Sequence, residues 1–192
     1  MSIKRGKQDV RTTKASADND FVRTEQSEIQ KFLDAYTHTE ELKELSVLDP
    51  CVGDGSFPEV LKRNGFSNIN YCDIIDRGYE GTKIENFLES NSSFDFVIMN
   101  PPFSLLAEFM QKAIDVTREK QGKVAIICRL AALESAKRAK IYRITPPSEV
   151  YVCTERAQFT YADGSKVPNA AAFAWICFDH KNASRKTELK WL

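Results

Sequence analysis

Strand-like and helix-like segments alternate along the chain, which predicts an α/β fold with a mainly parallel sheet covered on both faces. Three observations carry that expectation. The strand candidates are near-continuous apolar runs, as in Phe94–Met99 (FDFVIM) and Lys123–Cys128 (KVAIIC), the pattern of strands buried on both sides. The segments between them repeat apolar residues at helical spacing. Two of the strands run into turns rich in glycine or proline, one after Pro50 and one after Asn100.

Residues 1–20 are polar and basic and are expected to form a flexible tail. Ser27–Tyr36 predicts a helix, because Ile29, Phe32, Leu33 and Tyr36 share one face. Leu42–Leu45 adds a short helical turn. Ser46–Pro50 predicts the first strand and Ser56–Arg63 the helix after it, with Ser56 as N-cap, Pro58 tolerated in the first turn and Gly65 as the stop. Strands follow at Asn70–Ile75 and Phe94–Met99. Between them, residues 76–85 are short and glycine-bearing, which argues against a full helix there. Leu105–Val116 is a helix by its Leu105, Phe109, Ala113 and Val116 period. Then come a strand at Lys123–Cys128, a helix at Ala131–Ile141, a strand at Glu149–Cys153 and a buried strand at Ala171–Phe178. Phe159–Asn169 (FTYADGSKVPN) is expected as a loop or hairpin.

The 192 residues carry 27 basic and 27 acidic side chains, so net charge does not announce a nucleic-acid binder. The basic residues are nevertheless clustered, in 1–14, in 134–143 and from 181 onward, and such clusters suit a phosphate backbone as well as a solvated face. Cys51, Cys72, Cys128, Cys153 and Cys177 show no C-x-x-C spacing, which argues against a zinc site or a disulfide scaffold. All but Cys51 fall in apolar runs and are expected as small buried hydrophobes. His38 and His180 are expected at the surface, and no metal site is expected. No apolar run reaches the roughly 18–20 residues of a membrane span, and no apolar stretch follows the basic N-terminus. The expected location is the cytoplasm.

Two segments carry chemistry. In Val47–Phe57 (VLDPCVGDGSF) an acidic residue ends a strand and a G-x-G opens a helix. Gly53 and Gly55 allow a tight turn and close backbone approach to a ligand. Pro58 stands where the dinucleotide fingerprint needs its third glycine, and the phosphate loop's Gly-Lys-Ser/Thr is absent. Asp49 therefore favours a ligand with a cationic amino-acid end. In Asn100–Phe103 (NPPF), a rigid turn presents acceptors rather than donors. The Asn100 side-chain oxygen and the Pro101 carbonyl could accept both protons of an aromatic –NH₂, freeing its lone pair, while Phe103 offers a face for stacking.

Together, DPCVGDG and NPPF resemble the N6-adenine DNA methyltransferases of the class I, Rossmann-like fold, over about residues 21–180. The resemblance implies a seven-stranded, mostly parallel sheet whose last strand is antiparallel, with 181–192 as a basic C-terminal tail. It implies S-adenosylmethionine as cofactor, held by Asp49 and the Pro50–Gly55 loop, including Cys51, Gly53 and Gly55. Asp73, with Asp76 as a rival, corresponds to the acidic residue that binds the ribose hydroxyls. Asn86 and Phe87 lie where the family contacts the adenine ring. Phe21–Thr24 resembles the family's N-terminal cofactor motif, although Glu25 replaces the usual proline and a helix N-cap explains Thr24 equally well. Asn100, Pro101, Pro102 and Phe103 would hold the flipped base of a DNA substrate. No added recognition region of substantial size follows Phe103. Low sequence specificity is therefore expected, or specificity from a short loop or a partner subunit. Lys137, Arg138, Lys140 and Arg143 are the candidate backbone contacts. RNA, a protein glutamine amide, or a non-catalytic module of the same fold are the alternative readings.

Overall fold

Two apolar layers sandwich one sheet because strand residues alternate between its faces. Phe96 and Ile98 point into one layer and Val97 and Met99 into the other, and none of the four is solvent-exposed. The computed structural model describes residues 21–161, 163–168, 171–182 and 185–192. The basic segment 1–20 and Asn169 lie outside them.

The described elements are, in order, β1 (Val22–Thr24), α1 (Gln26–Ala35), α2 (Thr39–Leu42), β2 (Ser46–Asp49), α3 (Ser56–Arg63), β3 (Asn68–Asp73), β4 (Lys83–Ile84), β5 (Phe96–Met99), α4 (Leu106–Arg118), β6 (Lys123–Arg129), α5 (Ala136–Ile144), β7 (Glu149–Val152), β8 (Phe159–Tyr161), β9 (Phe173–Asp179) and β10 (Glu188–Trp191). The main sheet has eight strands in the order β10-β7-β9-β6-β5-β2-β3-β4. Strand β9 is antiparallel to both neighbours, and the other pairings are parallel. The expected count of seven is thus corrected to eight. Strand β10 falls in the segment expected as a basic tail. Its polar, four-residue sequence lacks the apolar run of a central strand, because it is a sheet edge.

Helices α1, α2 and α3 cover one face and α4 and α5 the other. The predicted stripe of α1 is the buried one, and Phe32 stacks on Trp175 with ring centroids 4.0 Å apart. Most expected elements are shifted by a few residues, the short turn expected at Leu42–Leu45 lying at Thr39–Leu42, and three differences have a clear local cause. The N-cap of α3 is Gly55 rather than Ser56, because the chain enters the helix from a left-handed residue with φ +96°. The helix expected at Ala131–Ile141 is split into a 3-10 turn at Leu130–Glu134 and α5. Ser135 is extended between them, and Arg138 and Tyr142 both donate to the Ala132 carbonyl across the break. Strand β3 stops at Asp73 instead of Ile75, since the Asp73 carboxylate turns back to accept the Ile75 N–H at 3.1 Å. No helix follows β3 before β4, as expected. Phe159–Lys166 forms a small hairpin whose first strand, β8, pairs with β1 in a separate two-stranded sheet.

Three side chains depart from their expected setting. His38 is half-buried, with Nδ1 at 2.9 Å from Glu41. His180 is half-buried, with Nε2 at 2.9 Å from the Ile114 carbonyl and 3.1 Å from Thr117 Oγ1. Cys153 is only half-buried, unlike Cys72, Cys128 and Cys177. At the far end of β6, Lys123 is buried and holds Asp179 at 2.6 Å and Glu41 at 3.3 Å. Burial, the largest single influence, would raise the Asp179 carboxyl, but the bond and charge of Lys123 together with the Lys181 N–H outweigh it and hold the group below its ordinary value. Lys123→Met is expected to cost about 1–2 kcal/mol, because it strands a largely buried carboxylate; urea unfolding measures it.

The sheet order reverses at β2, with β3 on one side and β5 on the other. A crevice forms there at the carboxyl ends of the strands, the place where open α/β sheets bind ligands.

Candidate active site

The crevice is floored by the β2–α3 turn. Asp49 ends β2 and is fully buried. Its Oδ1 accepts the Cys51 N–H at 3.1 Å, while Oδ2 has no partner. Burial pushes this carboxyl well above its ordinary value; the Cys51 N–H opposes the shift and the nearby Asp73 charge adds to it. Gly53 and Gly55 both have positive φ, at +56° and +96°. A Cβ on Gly53 would overlap the Phe21 ring, and one on Gly55 would overlap Tyr79, so each glycine also permits a close approach. Asp73, at the end of β3, accepts the Gly53 N–H through Oδ2 at 3.0 Å. It anchors the loop and still has acceptor capacity facing the crevice.

Strand β1 forms one wall. Phe21 packs on Gly53, the Arg77 guanidinium lies 4.1 Å from the Phe21 ring centre, and Arg23 pairs with Asp54 of the glycine loop. Thr24 is not the N-cap of α1; Glu25 is. The Thr24 hydroxyl is buried and without a partner.

Asn100 follows β5 directly. Its Nδ2 donates to the Val22 carbonyl at 3.0 Å. A carbonyl can only accept, so this bond fixes which end of the amide faces β1. It leaves Oδ1, which is buried and has no partner. Pro102 has φ −52° and ψ 127°, and Phe103 opens a 3-10 turn leading into α4.

Phe21, Pro50, Cys51, Asp73, Asn86, Phe87 and Asn100–Phe103 line one cleft of about 710 Å³, counting its mouth. Asp49 lies beneath this lining. Asn86 is committed locally, its Oδ1 accepting Leu88 N–H at 3.1 Å and its Nδ2 donating to Glu89 at 2.9 Å. Phe87 is buried against Phe109. The Cys51 thiol is pushed up by burial and by the acidic Asp49 and Asp73, which disfavours a thiolate nucleophile here.

A second, smaller pocket of about 430 Å³ shares Val22 and Phe103 with the cleft and is walled by Arg129, Phe159 and Phe173. The Arg129 guanidinium lies 5.1 Å from the Phe103 ring centre. Of the four basic candidates, Lys137 and Lys140 line a groove between α4 and α5 that meets the cleft at Asn86. Lys137 pairs there with Glu108. Arg138 is spent on the Ala131 and Ala132 carbonyls, and Arg143 lines neither pocket. Sequence reasoning missed Val22, Arg77 and Arg129. Val22 acts through its backbone, and the two arginines stand in or beside loops without periodicity.

No family model and no curated protein sequence matches the chain. Solved structures do. The methyltransferase subunit of a type I restriction-modification system from Streptococcus thermophilus superposes with a TM-score of 0.66 at 14% identity, over 90% of this chain and 47% of that one. A protein assigned as a class I S-adenosylmethionine-dependent methyltransferase from Listeria monocytogenes gives 0.63 at 14% identity, over 85% and 63%. Magnesium protoporphyrin IX methyltransferase from Synechocystis, solved with its cofactor, gives 0.53 at 13%, over 80% and 79%. The chain thus spans less than two thirds of the Listeria protein and about half of the modification subunit. Its fold is the Rossmann-like class I methyltransferase fold.

Proposed function

We propose that this chain is an S-adenosylmethionine-dependent methyltransferase acting on the exocyclic N6 amine of adenine in DNA. The observation that carries the proposal is the Asn100 amide, pinned through its nitrogen to Val22 with its oxygen buried and unpartnered at a cleft. An unmade hydrogen bond of a buried acceptor is costly, and an N–H donor entering from the cleft offsets that cost.

The residues present fit the cofactor. Asp49 offers the one unpartnered carboxylate oxygen beneath the glycine loop, a match for the ammonium of its methionine end. Thr24 adds an unpartnered hydroxyl on β1. Asp73 retains acceptors for ribose hydroxyls, and Phe21, Asn86 and Phe87 offer faces and edges for the adenine ring. When bound, S-adenosylmethionine supplies an electrophilic methyl group on a sulfonium. The chain's own task is positioning and polarisation. Asn100 Oδ1 and the Pro101 carbonyl would accept hydrogen bonds from the amine's two N–H groups and favour a pyramidal nitrogen, which releases one of its two protons once methylated. Phe103 stacks on the ring. Cys51 takes no covalent part.

A nucleobase is favoured over a glutamine amide by the aromatic pocket beside Phe103, where the Phe159 and Phe173 centroids are 4.4 Å apart and Arg129 supplies a cation. Lys137 and Lys140, in the adjoining groove, are the backbone contacts this reading retains. Recognition of a particular site is assigned to a short loop or to a partner subunit. Side-by-side transfer of labelled methyl to methyl-free DNA, to RNA and to glutamine-bearing protein tests the proposal, with DNA expected to take the most label. Label confined to RNA or protein would refute the DNA assignment, and absence of cofactor binding would leave the module reading.

A further inference from the structure

Strand β10 is paired on one side only, with β7. The Glu188 N–H donates to Ser148 and the Leu192 N–H to Val152, both toward the sheet. Backbone groups alternate in direction along a strand, so those of Thr187, Leu189 and Trp191 point to the outer edge. Among the described residues nothing pairs with that edge. Two apolar side chains on it are solvent-exposed, Leu189 at 52% and Trp191 at 65%. Leu189 opposes Val150 in register, while Lys190 opposes Tyr151, which belongs to the layer under α1. Leu189 and Trp191 therefore face the α4–α5 side. Ile144, at the end of α5, is 71% exposed, and its carbonyl accepts from Arg185 just before β10.

We infer that β10 is a self-pairing edge through which two copies of this chain join antiparallel, continuing one sheet across a twofold axis. The occupant is chosen by charge and register. In an antiparallel pair, residues whose backbone groups face the partner must oppose one another. Four registers centred on a strand residue satisfy this, and the one centred on 191 sets Lys190 against Leu192 with no complementary charge. Centring on residue 188 sets Glu188 against Glu188, and centring on 190 sets Lys190 against Lys190. Centring on Leu189 alone sets Glu188 of each copy against Lys190 of the other, a doubly complementary arrangement. It also brings Leu189 onto its own symmetry mate and lays both Leu189–Trp191 surfaces on the same face. Lys190 already holds Glu149 and, at 3.4 Å, Glu188. The Lys190 ammonium thus already sits among carboxylates on this edge, where Glu188 of the other copy can share it. This inference is independent of the methyltransferase reading.

The test is analytical ultracentrifugation of the full chain from about 1 μM to several hundred μM, a range suited to a small interface. Wild type is expected to double its mass with concentration. Trp191 emission should shift to the blue over the same range, since Trp175 is already buried. Glu188→Lys sets like charges opposite one another twice and is expected to weaken the dimer about tenfold or more, with unchanged circular dichroism. Leu189→Cys is expected to form a disulfide-linked dimer on mild oxidation, because hydrogen-bonded partners sit about 5.5 Å apart at Cα. Trp191→Cys and the wild type should not. A chain that stays monomeric throughout, a dimer indifferent to Glu188→Lys, or equal cross-linking at 189 and 191 would overturn it.

Discussion

Asn100→Ala is expected to lower the turnover of methyl transfer by about 10²–10³-fold, the cost of removing one preorganised polar group from a reacting centre. The variant also frees the Val22 carbonyl, which anchors the cleft-lining strand β1 to the end of β5. That loss is an ordinary hydrogen bond of about 1 kcal/mol, so cofactor affinity should change by about fivefold at most. The two quantities therefore separate. A large fall in turnover with near-normal cofactor titration places Asn100 on the amine. Parallel losses in both would reduce it to a brace for β1.

Asp49→Asn is expected to act on the other half of the site. Asparagine keeps an oxygen for the Cys51 N–H and removes a charge that burial disfavours. The ligand-free fold at neutral pH should then be at least as stable as wild type by thermal unfolding. Affinity for S-adenosylmethionine should fall by about 2–3 kcal/mol, on the order of a hundredfold, the value of a charge-assisted hydrogen bond to a buried carboxylate. The same carboxyl gives wild type a pH signature. Its folded value is raised, so in the free protein it binds a proton more readily than the unfolded chain does. Stability of the free protein is lost as pH rises from the ordinary carboxylate value through the raised one. A cationic ligand prefers the ionised form. Affinity should therefore weaken as pH falls through the raised value, well above the range of an exposed aspartate, and this dependence should vanish in Asp49→Asn. Calorimetric titration at a series of pH values measures both. An affinity unchanged by the substitution would remove Asp49 from the cofactor site.

What the sequence made legible was local. The stripe Ile29, Phe32, Leu33 and Tyr36 announces a helix because 3.6-residue spacing places those side chains together, and all four are buried. Gly53, Gly55, Asn100 and Phe103 stand out because glycine frees the backbone and proline fixes it at the ends of apolar runs. What escaped was long-range. Nothing near Val22 says that its carbonyl will meet Asn100, 78 residues on, or that β1 will pair with Phe159–Tyr161. Asp73 was legible as an acidic strand end, but its hold on the Gly53 N–H depends on the loop folding back across β3. Strand β10 escaped because Glu188, Leu189, Lys190 and Trp191 form an edge with too few apolar residues to signal burial. The split before α5 is set by Arg138 and Tyr142 reaching one carbonyl, a tertiary choice that helical periodicity does not encode.

The most direct test of the central claim is nucleoside mass analysis of methyl-free DNA after incubation with labelled S-adenosylmethionine and the wild-type chain. N6-methyladenine, absent when Asn100→Ala replaces wild type, is the predicted result. Label on another base or on none, from a chain that binds the cofactor, would contradict it.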